Sequence, residues 1–460
     1  MKNIEEIKSV YFIGIGGIGM SAIARYFLAL GKQVAGYDRT ETPLTKKLVA
    51  EGAIVHYTDD VTLIPSTCSI EDTLVVYTPA IPQDHKEWNF LQIAGYEVMK
   101  RAAVLGLITR ATKGLCVAGT HGKTSTSTML AHLMYESHLG CTAFLGGVAK
   151  NYNSNLLLAP ESPYSVIEAD EFDRSFHQLS PWMSIITATD PDHLDIYGNI
   201  ENYRESFRHY MGLIQPGGVL LINESISLDC PLQKGVRRFT YGRYKGDFHA
   251  TNEQIGNGQI IFDLVGPDML IEGIELGVPV AINIDNGVAA ASIAYLNGVT
   301  PEEIKTGMMS FQGVERRFDF RIKNDKHVYI SDYAHHPKEI EKSIASVKAL
   351  YPEKKLTVFF QPHLYTRTRD FYKDFAAKLA LADEVFLLPI YPARERPIQG
   401  VESEMIDRLL PSSIGHRVIN RNEITKVLLE DDVEVVLQLG AGDIEDESAN
   451  IKSVIESKEN

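Results

Sequence analysis

The sequence twice places a glycine-rich loop directly between an apolar strand and a helix. Gly14–Gly19 follows the run SVYFI, and Gly119–Ser125 follows the run LCVA. Glycine brings no side chain, so backbone N–H groups at the helix N-terminus become accessible to an anion. Because further strands and helices alternate along the chain, this pattern predicts α/β architecture with parallel sheets.

The first loop, Gly14-Ile15-Gly16-Gly17-Ile18-Gly19, has the G-x-G-x-x-G pattern of a diphosphate-binding βαβ unit. Asp38 ends the second strand about 20 residues later, where a ribose-binding acid often lies. Taken alone, the motif predicts an NAD-dependent dehydrogenase, and a glycine turn packed on a sheet is the non-functional alternative. It predicts a diphosphate without identifying what is attached to it.

The second loop, Gly119-Thr120-His121-Gly122-Lys123-Thr124-Ser125, is typical of a P-loop. Backbone amides would surround the β- and γ-phosphates, Lys123 would counter their charge, and Thr124 would offer a hydroxyl to Mg²⁺. It departs from the strict pattern because Val117 occupies the first glycine position.

Two acidic segments follow strands of the same central block. Glu168-Ala169-Asp170-Glu171 ends the run YSVI, and the segment 190–195, with His193 among its acids, follows MSIIT. Carboxylates at strand ends beside a P-loop are suited to holding Mg²⁺, so the sequence favours a two-metal triphosphate site over two solvated acidic turns.

The last third of the chain carries basic and histidine-rich loops. Arg317 lies at a domain junction, where it either contacts phosphates or belongs to a solvated basic turn. Asp332 and the pair His335-His336 follow one strand, whereas His363 and Arg367 follow another. Such loops are where open α/β sheets bind ligands, and arginine suits carboxylate recognition. A zinc site is not favoured, because no acid or cysteine lies at ligand spacing.

Three blocks of strands and helices predict three domains. The expected limits are 1–105 for a Rossmann-like domain, 106–314 for the P-loop domain and 315–460 for a second Rossmann-like domain. A linker is expected near residues 109–113. Residues 236–282 are glycine-rich and alternating, which predicts a module of short antiparallel strands within the central domain.

Composition excludes several classes of protein. The 460 residues include 45 Lys+Arg and 60 Asp+Glu, a net charge of −15, which disfavours nucleic-acid binding through phosphate neutralisation. Four widely spaced cysteines make no CxxC pair, so a reducing compartment is expected rather than a disulfide framework. No charge-free apolar run reaches membrane-span length, and we expect a cytoplasmic protein without membrane insertion. Its oligomeric state is left open.

Two phosphate-binding loops and a third anion-binding domain together favour an ATP-driven condensation on a nucleotide-linked substrate. The motifs resemble those of the Mur ligases of peptidoglycan precursor synthesis, most closely the branch that adds L-alanine. They span residues 13–371 in the family's order: IGIGGIGMSAIA, GTHGKTSTS, EADEFDRSF, DHLDIYG, NIDNGVAAA, FQGVERRF, DYAHHPKEI and FQPHLYTRTRDF.

The resemblance implies an enzyme that binds UDP-N-acetylmuramate rather than NAD, uses ATP with Mg²⁺ (or Mn²⁺), and takes L-alanine. An acyl phosphate on the sugar's lactyl carboxylate would be attacked by the amino group of the amino acid. The N-terminal domain would hold the UDP-sugar, the central domain ATP and the C-terminal domain the amino acid.

The resemblance also implies residue roles, position by position. Contacts to the UDP-sugar would come from Gly14, Gly16, Gly17, Ile18, Gly19, Met20, Ser21 and Asp38. Contacts to ATP would come from Gly119, Thr120, His121, Gly122, Lys123, Thr124, Ser125, Asn283, Asn286, Arg317 and Asp332. Metal would be held by Thr124, Glu171 and His193, and the amino acid by Tyr333, His363, Tyr365 and Arg367. The residues expected to act in catalysis are Lys123, His193, Arg317 and His363.

Three positions depart from the family's pattern. Leu364 stands where many relatives have Arg, and Ile282 where many have His. Residues 199–216 contain no lysine, which agrees with the alanine-adding branch. The alternatives are a recycling ligase that adds a tripeptide to the same sugar nucleotide, a dinucleotide-dependent oxidoreductase, and a nucleotide-dependent regulator without enzymatic activity.

Overall fold

The structure, a computed structural model, describes residues 4–78, 81–191, 194–393, 395–430 and 433–458. The chain divides into two compact units. The first comprises Met1–Thr251, Leu264–Glu272 and Asp285–Ser310, and the second comprises Asn252–Asp263, Gly273–Ile284 and Phe311–Asn460. In the described parts of the chain, no helix has the length and apolar character needed to cross a membrane.

The N-terminal part is a parallel sheet with the strand order β3-β2-β1-β4-β5. Its strands are β1 (Ser9–Ile13), β2 (Gln33–Tyr37), β3 (Ile54–His56), β4 (Thr73–Tyr77) and β5 (Glu97–Lys100). Its helices are α1 (Ile18–Ala29), α2 (Pro43–Ala50), α3 (Lys86–Ile93) and α4 (Arg101–Ala111).

The central part contains a larger sheet with the order β15-β14-β13-β12-β11-β10-β6-β9-β7-β8. Its strands are β6 (Lys113–Ala118), β7 (Thr142–Ala149), β8 (Ser154–Leu157), β9 (Tyr164–Ala169), β10 (Met183–Ile186), β11 (Val219–Asn223), β12 (Arg237–Gly242), β13 (Phe248–Gly256), β14 (Gln259–Gly266) and β15 (Met269–Glu275). Its helices are α5 (Lys123–Glu136), α6 (Leu194–Tyr197), α7 (Ile200–Met211), α8 (Ile282–Leu296) and α9 (Pro301–Ser310).

The C-terminal part has a sheet with the order β16-β17-β21-β18-β19-β20, antiparallel only at β16. Its strands are β16 (Asp319–Lys323), β17 (Val328–Asp332), β18 (Leu356–Phe360), β19 (Glu384–Leu387), β20 (Gly415–Val418) and β21 (Val435–Leu439). Its helices are α10 (Pro337–Leu350), α11 (Tyr365–Leu379), α12 (Glu404–Asp407), α13 (Ile424–Glu430) and α14 (Ser448–Ser457).

The first strand shows why these sheets form from continuous apolar runs. All five residues of β1 are buried, and alternate residues enter different clusters. Val10 and Phe12 belong to one core, whereas Tyr11 and Ile13 belong to another. Successive side chains point to opposite faces, so a strand covered by helices on both faces needs apolar residues at every position.

The predicted α/β class with three sheet-based parts is confirmed, and the structure differs from the prediction at the expected linker and in the strand directions of the module after residue 236. No linker exists at 109–113, because α4 continues to Ala111 and β6 begins at Lys113, with Thr109 buried between the helix and the sheet. The predicted domain limit at 105/106 falls inside α4. In the module after residue 236, β12 pairs in parallel with β11, so its strands are not all antiparallel.

Candidate active site

The loop after the central strand of the first sheet is a tight glycine turn. Gly14 has φ +87°, and the N–H groups of Gly14 and Ile15 both donate to the Tyr37 carbonyl, at 2.8 and 3.0 Å. A Cβ on Gly14 would lie 2.7 Å from the Thr78 side chain. Since α1 begins at Ile18, the predicted strand–loop–helix arrangement is confirmed, with the first N–H groups of the helix available at the loop.

Asp38 fastens this loop from the neighbouring strand. Its Oδ2 accepts a hydrogen bond from Gly16 N–H at 2.7 Å, and its Oδ1 accepts one from Thr40 N–H at 3.2 Å. A Cβ on Gly16 would lie only 2.8 Å from Oδ2. The carboxylate therefore holds the loop itself, and contact with a ribose stays a prediction.

The other residues predicted around this loop lie on α1. Ile18 is 58% exposed, whereas Met20 and Ser21 are buried. Ser21 Oγ donates to the Ile18 carbonyl at 2.9 Å, so its hydroxyl serves the first turn of its own helix. Gly17 is the N-cap and brings no side-chain oxygen, which leaves the helix N-terminus without a side-chain cap.

The second loop follows β6, which lies between β9 and β10 in its sheet. Gly119 has φ +139°, and a Cβ there would lie 2.1 Å from Thr187 Oγ1, so only glycine fits. Gly122 has φ +80°. The Thr120 hydroxyl donates to the Asp190 carbonyl at 2.8 Å and lies 2.8 Å from the Tyr203 hydroxyl. The Thr120 hydroxyl thus links the loop to the Asp190 carbonyl on one side and to the Tyr203 hydroxyl on the other.

Lys123 is held in an ion pair inside the loop. Its Nζ lies 2.6 Å from Glu171 Oε2 and also donates to the Gly119 carbonyl at 2.7 Å. Glu171 is only 1% exposed, and burial raises the pKa of its carboxyl while the Lys123 charge opposes that rise. An incoming phosphate would therefore compete with a carboxylate for the lysine.

Glu168 lies beside the hydroxyl that was predicted to bind metal. Thr124 Oγ1 donates to Glu168 Oε1 at 3.1 Å, and Glu168 is the penultimate residue of β9, the strand next to β6. A hydroxyl and a carboxylate side by side are oxygen donors that fit Mg²⁺, which completes its shell with water and phosphate oxygens. From the sequence, Glu171 rather than Glu168 is expected to hold the metal, although both belong to the acidic segment at the end of the same strand.

The remaining metal prediction, His193, lies outside the described residues. Within the described ranges, no group of three or more His, Cys, Asp or Glu side chains converges as a metal site. His121 is exposed and Ser125 is half-buried on the first turn of α5.

The two asparagines predicted to contact adenine lie one turn apart near the start of α8 and are both buried. Asn286 Oδ1 accepts a hydrogen bond from Thr126 Oγ1 at 3.0 Å and would lie 3.2 Å from a Cβ on Gly122. The structure thus places Asn286 against the second loop. Asn283 Nδ2 donates to the Val278 carbonyl at 3.1 Å.

A cavity of about 420 Å³ lies within the first compact unit, between the first loop and the end of β9, the strand beside β6. One wall comprises residues 17–20 of the first loop and Thr78. The other includes Glu168 and Asp170, at the end of the strand that flanks the second loop. A ligand seated on the first loop would therefore extend toward Glu168, which accepts a hydrogen bond from Thr124 of the second loop.

The second compact unit gathers its own set of polar side chains where β17 ends. Asp332 is half-buried and accepts a hydrogen bond from the Ser343 hydroxyl. Burial raises the pKa of Asp332, against the opposing effects of Ser343 and of the Arg317 charge. The Arg317 guanidinium lies over the Tyr333 ring, 5.2 Å from its centroid. Arg317, Asp332 and Tyr333 are therefore brought together.

His363 follows β18, and β21 separates that strand from β17. The His363 and His335 rings are 5.8 Å apart, and His363 also stacks on Tyr391 at 5.7 Å. Burial lowers the pKa of His363 to about 4, helped by His335 and the Arg367 charge. His363 is therefore a neutral imidazole at neutral pH.

The turn from β18 into α11 has an unusual backbone. Leu364 has φ +72° and ψ 136°, and its N–H donates to the Tyr391 carbonyl at 2.9 Å. Tyr365 begins α11, and the next residue, Thr366, is held by Glu395, whose Oε2 accepts from the Thr366 N–H at 3.0 Å. The sequence does not predict a role for Tyr391 or Glu395, because neither lies in a recognisable motif.

Comparison with known proteins gives the same assignment along the whole chain. Three family models match: "Mur ligase family, catalytic domain" over residues 9–113, "Mur ligase middle domain" over 117–294, and "Mur ligase, glutamate ligase domain" over 316–442. The chain is 60% identical to a UDP-N-acetylmuramate–L-alanine ligase of Phocaeicola vulgatus, covering 99% of this chain and 100% of that one. It is 52% identical to the ligase of that name from Porphyromonas gingivalis, covering 95% and 97%.

Solved structures resemble the fold. The crystal structure of a UDP-N-acetylmuramate-alanine ligase from Thermotoga maritima is 27% identical and matches with a TM-score of 0.77, covering 98% of this chain and 99% of that one. A murein peptide ligase from Psychrobacter arcticus, 20% identical, shares the fold with a TM-score of 0.60, covering 97% and 98%. With two relatives more than half identical over nearly their full length, and family models covering all three sheets, this chain belongs to the Mur ligase family.

Proposed function

We propose that this chain is an ATP-dependent ligase that joins L-alanine to the lactyl carboxylate of UDP-N-acetylmuramate, releasing ADP and phosphate, in peptidoglycan precursor synthesis. The observation that carries the proposal is the cavity that leads from the first glycine loop to Glu168, the carboxylate beside Thr124 of the second loop. A sugar nucleotide anchored at the first loop would direct its far end toward the γ-phosphate of ATP held at the second. The high identity to ligases of that name supports the same reaction.

In the proposed reaction a lactyl carboxylate oxygen bonds to the γ-phosphorus and ADP leaves, forming an acyl phosphate. The amine nitrogen then attacks the carbonyl carbon, and phosphate leaves as the amide forms. Little covalent work falls to the protein, so positioning and charge stabilisation dominate. Lys123 supplies the charge at the transferring group once phosphate replaces Glu171 as its partner.

Thr124 and Glu168 would hold the divalent cation, with Glu171 as a further oxygen ligand. Mg²⁺ at this position would neutralise the phosphate oxygens. His193 is proposed to hold a second cation. The backbone N–H groups of residues 119–125 would surround the phosphates, and Asn283 and Asn286 would contact the adenine.

The C-terminal residues are proposed to complete the site. Arg317 and Asp332 would bind ATP, while Tyr333, Tyr365 and Arg367 would hold the amino acid, with Arg367 on its carboxylate. His363, being neutral, has a lone pair that can take the proton from the attacking amine. The corresponding domain limits are 1–105 for the sugar nucleotide, 106–314 for ATP and 315–460 for the amino acid.

The test is phosphate release from ATP in the presence of UDP-N-acetylmuramate, with L-alanine, glycine, L-serine or the tripeptide as acceptor. We expect release with L-alanine and ADP as the second product. No release with any acceptor would overturn the ligase assignment. Release with the tripeptide alone would instead identify a recycling ligase. Comparison of the three amino acids also measures the selectivity of a chain that carries Leu364.

A further inference from the structure

The cavity between the two loop regions contains one basic residue that no motif includes. Arg101 is the first residue of α4 and lines the cavity together with Gly19 and Glu168. It is the one cationic side chain among the described residues of the lining, which also contains Asp170. The volume of about 420 Å³ is that of a small-molecule site.

The Arg101 guanidinium packs directly against the first glycine loop. A Cβ on Gly19 would lie 2.7 Å from Nη1 and 3.2 Å from Cζ. The absence of a side chain at Gly19 therefore makes room for the guanidinium at the first turn of α1. A planar cation is thus placed beside the helix N-terminus, where backbone N–H groups already attract anions.

Arg101 also has no hydrogen-bond or ion-pair partner within the described residues, although it is half-buried. Arg25, further along α1, shows the contrast, because its Nε lies 2.7 Å from Glu51 Oε2. A half-buried guanidinium loses solvation without gaining a partner, which is unfavourable unless an anion binds there. The unpaired donors face a site that is otherwise acidic.

We infer that Arg101 binds the diphosphate of the sugar nucleotide, an inference that rests on the proposed function for its ligand. The first loop carries no cation between residues 14 and 21, and Asp38 already accepts from Gly16 N–H. The charge that neutralises the diphosphate must therefore come from another element. Arg101 supplies it from α4, with a fork that matches phosphate oxygens.

The test measures binding of UDP, UDP-N-acetylmuramate and ATP to the full chain by calorimetry. We compare Arg101→Gln and Arg101→Lys with Arg110→Gln, which removes an arginine at the exposed end of the same helix and outside the cavity lining. Arg101→Gln is expected to weaken UDP binding by about 10- to 100-fold, the range of a charge-assisted hydrogen bond. Arg101→Lys is expected to fall between, because it keeps the charge and loses the fork. Affinity for ATP, and all affinities of Arg110→Gln, should match the unmodified chain.

The outcomes separate this inference from the proposed function. If the unmodified chain binds neither UDP nor UDP-N-acetylmuramate, the proposed function fails. If it binds both and Arg101→Gln binds UDP equally well, the inference is overturned. A loss confined to UDP-N-acetylmuramate, with UDP and UDP-N-acetylglucosamine unaffected, overturns the diphosphate assignment and moves Arg101 to the lactyl carboxylate. If thermal unfolding shows that Arg101→Gln is not folded, the UDP affinity of Arg101→Lys decides between the same outcomes.

Discussion

The two glycine loops share one backbone plan and differ in where their charge lies. Each follows a central strand of its sheet, β1 or β6, and opens a helix. The first loop contains no cation and is fastened by a carboxylate, Asp38, from the neighbouring strand. The second contains Lys123, paired with the buried Glu171, and is fastened by the hydroxyl of Thr120.

This difference in the position of the charge agrees with the proposed functions of the two loops. A loop that only anchors a diphosphate needs donors in a rigid frame, and a cation can arrive from another helix. A loop that stabilises a phosphoryl group in transfer needs positive charge fixed in advance where negative charge develops, so lysine and metal belong to the loop itself. The same strand–loop–helix unit thus serves as an anchor in one place and as a reaction site in the other.

The largest effect is expected from Lys123→Ala. Removing the cation at the transferring phosphate should lower kcat by about 1,000-fold or more. Affinity for UDP-N-acetylmuramate should change less than about twofold, because the first loop is intact and charge effects fall off with distance. Turnover by phosphate release and sugar-nucleotide binding by calorimetry measure the two separately.

Lys123→Ala also leaves Glu171 buried without its cation, which alone can destabilise the fold. The double variant Lys123→Ala/Glu171→Gln removes that charge and is the matched control for folding. If both variants are folded and both lose sugar-nucleotide affinity, the two loops do not act as separate sites.

Removal of divalent cations should distinguish the loops without any substitution. With excess EDTA we expect ATP-dependent turnover to stop, since Thr124 and Glu168 are placed to hold a cation with the phosphates. Binding of UDP at the first loop should persist, because Asp38, Gly16 and the helix N-terminus require no metal. Restoration of turnover by added Mg²⁺ is the control. If EDTA abolished UDP binding as well as turnover, the proposed difference between the two loops would be wrong.

Gly119→Ala should damage the second loop more than Gly16→Ala damages the first. At Gly119 the φ of +139° is strained for alanine, and the Cβ would lie 2.1 Å from Thr187 Oγ1 and 2.8 Å from the Ala188 backbone nitrogen. At Gly16 the nearest atoms are Asp38 Oδ2 and the Thr45 methyl, both at 2.8 Å, and both belong to side chains rather than to backbone. We expect a stability loss of about 1–3 kcal/mol for Gly119→Ala and a smaller one for Gly16→Ala, measured by urea unfolding with ATP and UDP affinities alongside.

A smaller effect is expected from Asp38→Asn. The amide keeps the shape but weakens the hydrogen bond from Gly16 N–H, at a cost of about 0.5–1.5 kcal/mol in stability. UDP affinity should fall a few-fold while ATP affinity stays the same, as calorimetry can show. An unchanged UDP affinity would mean that the carboxylate is not needed to shape the first loop.

The smallest effect is expected from substitution of His363. This residue lies outside both loops and serves as a reference for a change that leaves both loops intact. Burial lowers its pKa to about 4, below the unfolded value of 6.5, so the unfolded chain binds more protons between those limits. This histidine therefore makes the fold less stable as pH falls from 6.5 toward 4. Between about pH 7 and pH 5, the melting temperature of His363→Gln should fall less than that of the unmodified chain. Its UDP and ATP affinities at neutral pH should be unchanged. An identical loss in both proteins would contradict the lowered pKa.

Much of the site was predictable because its parts are local. The positions of the glycine loops, Lys123 and Thr124 follow from strand, loop and helix patterns within about 20 consecutive residues. The prediction of a linker at 109–113 was wrong because the contacts that decide the structure there are not local. Polar residues there continue α4 and pack with Thr109 buried against the sheet, which local composition does not reveal.

The sequence by itself determined the α/β class, the two phosphate-binding loops and the family. The tertiary structure alone decided which side chains meet: Glu171 with Lys123 and Glu168 with Thr124, pairs 48 and 44 residues apart, and Arg101 against Gly19. The reason is strand order. A motif shows that carboxylates lie at the end of a strand, but only packing of the whole sheet places β9 beside β6, and so brings Glu168 to Thr124 and Glu171 to Lys123.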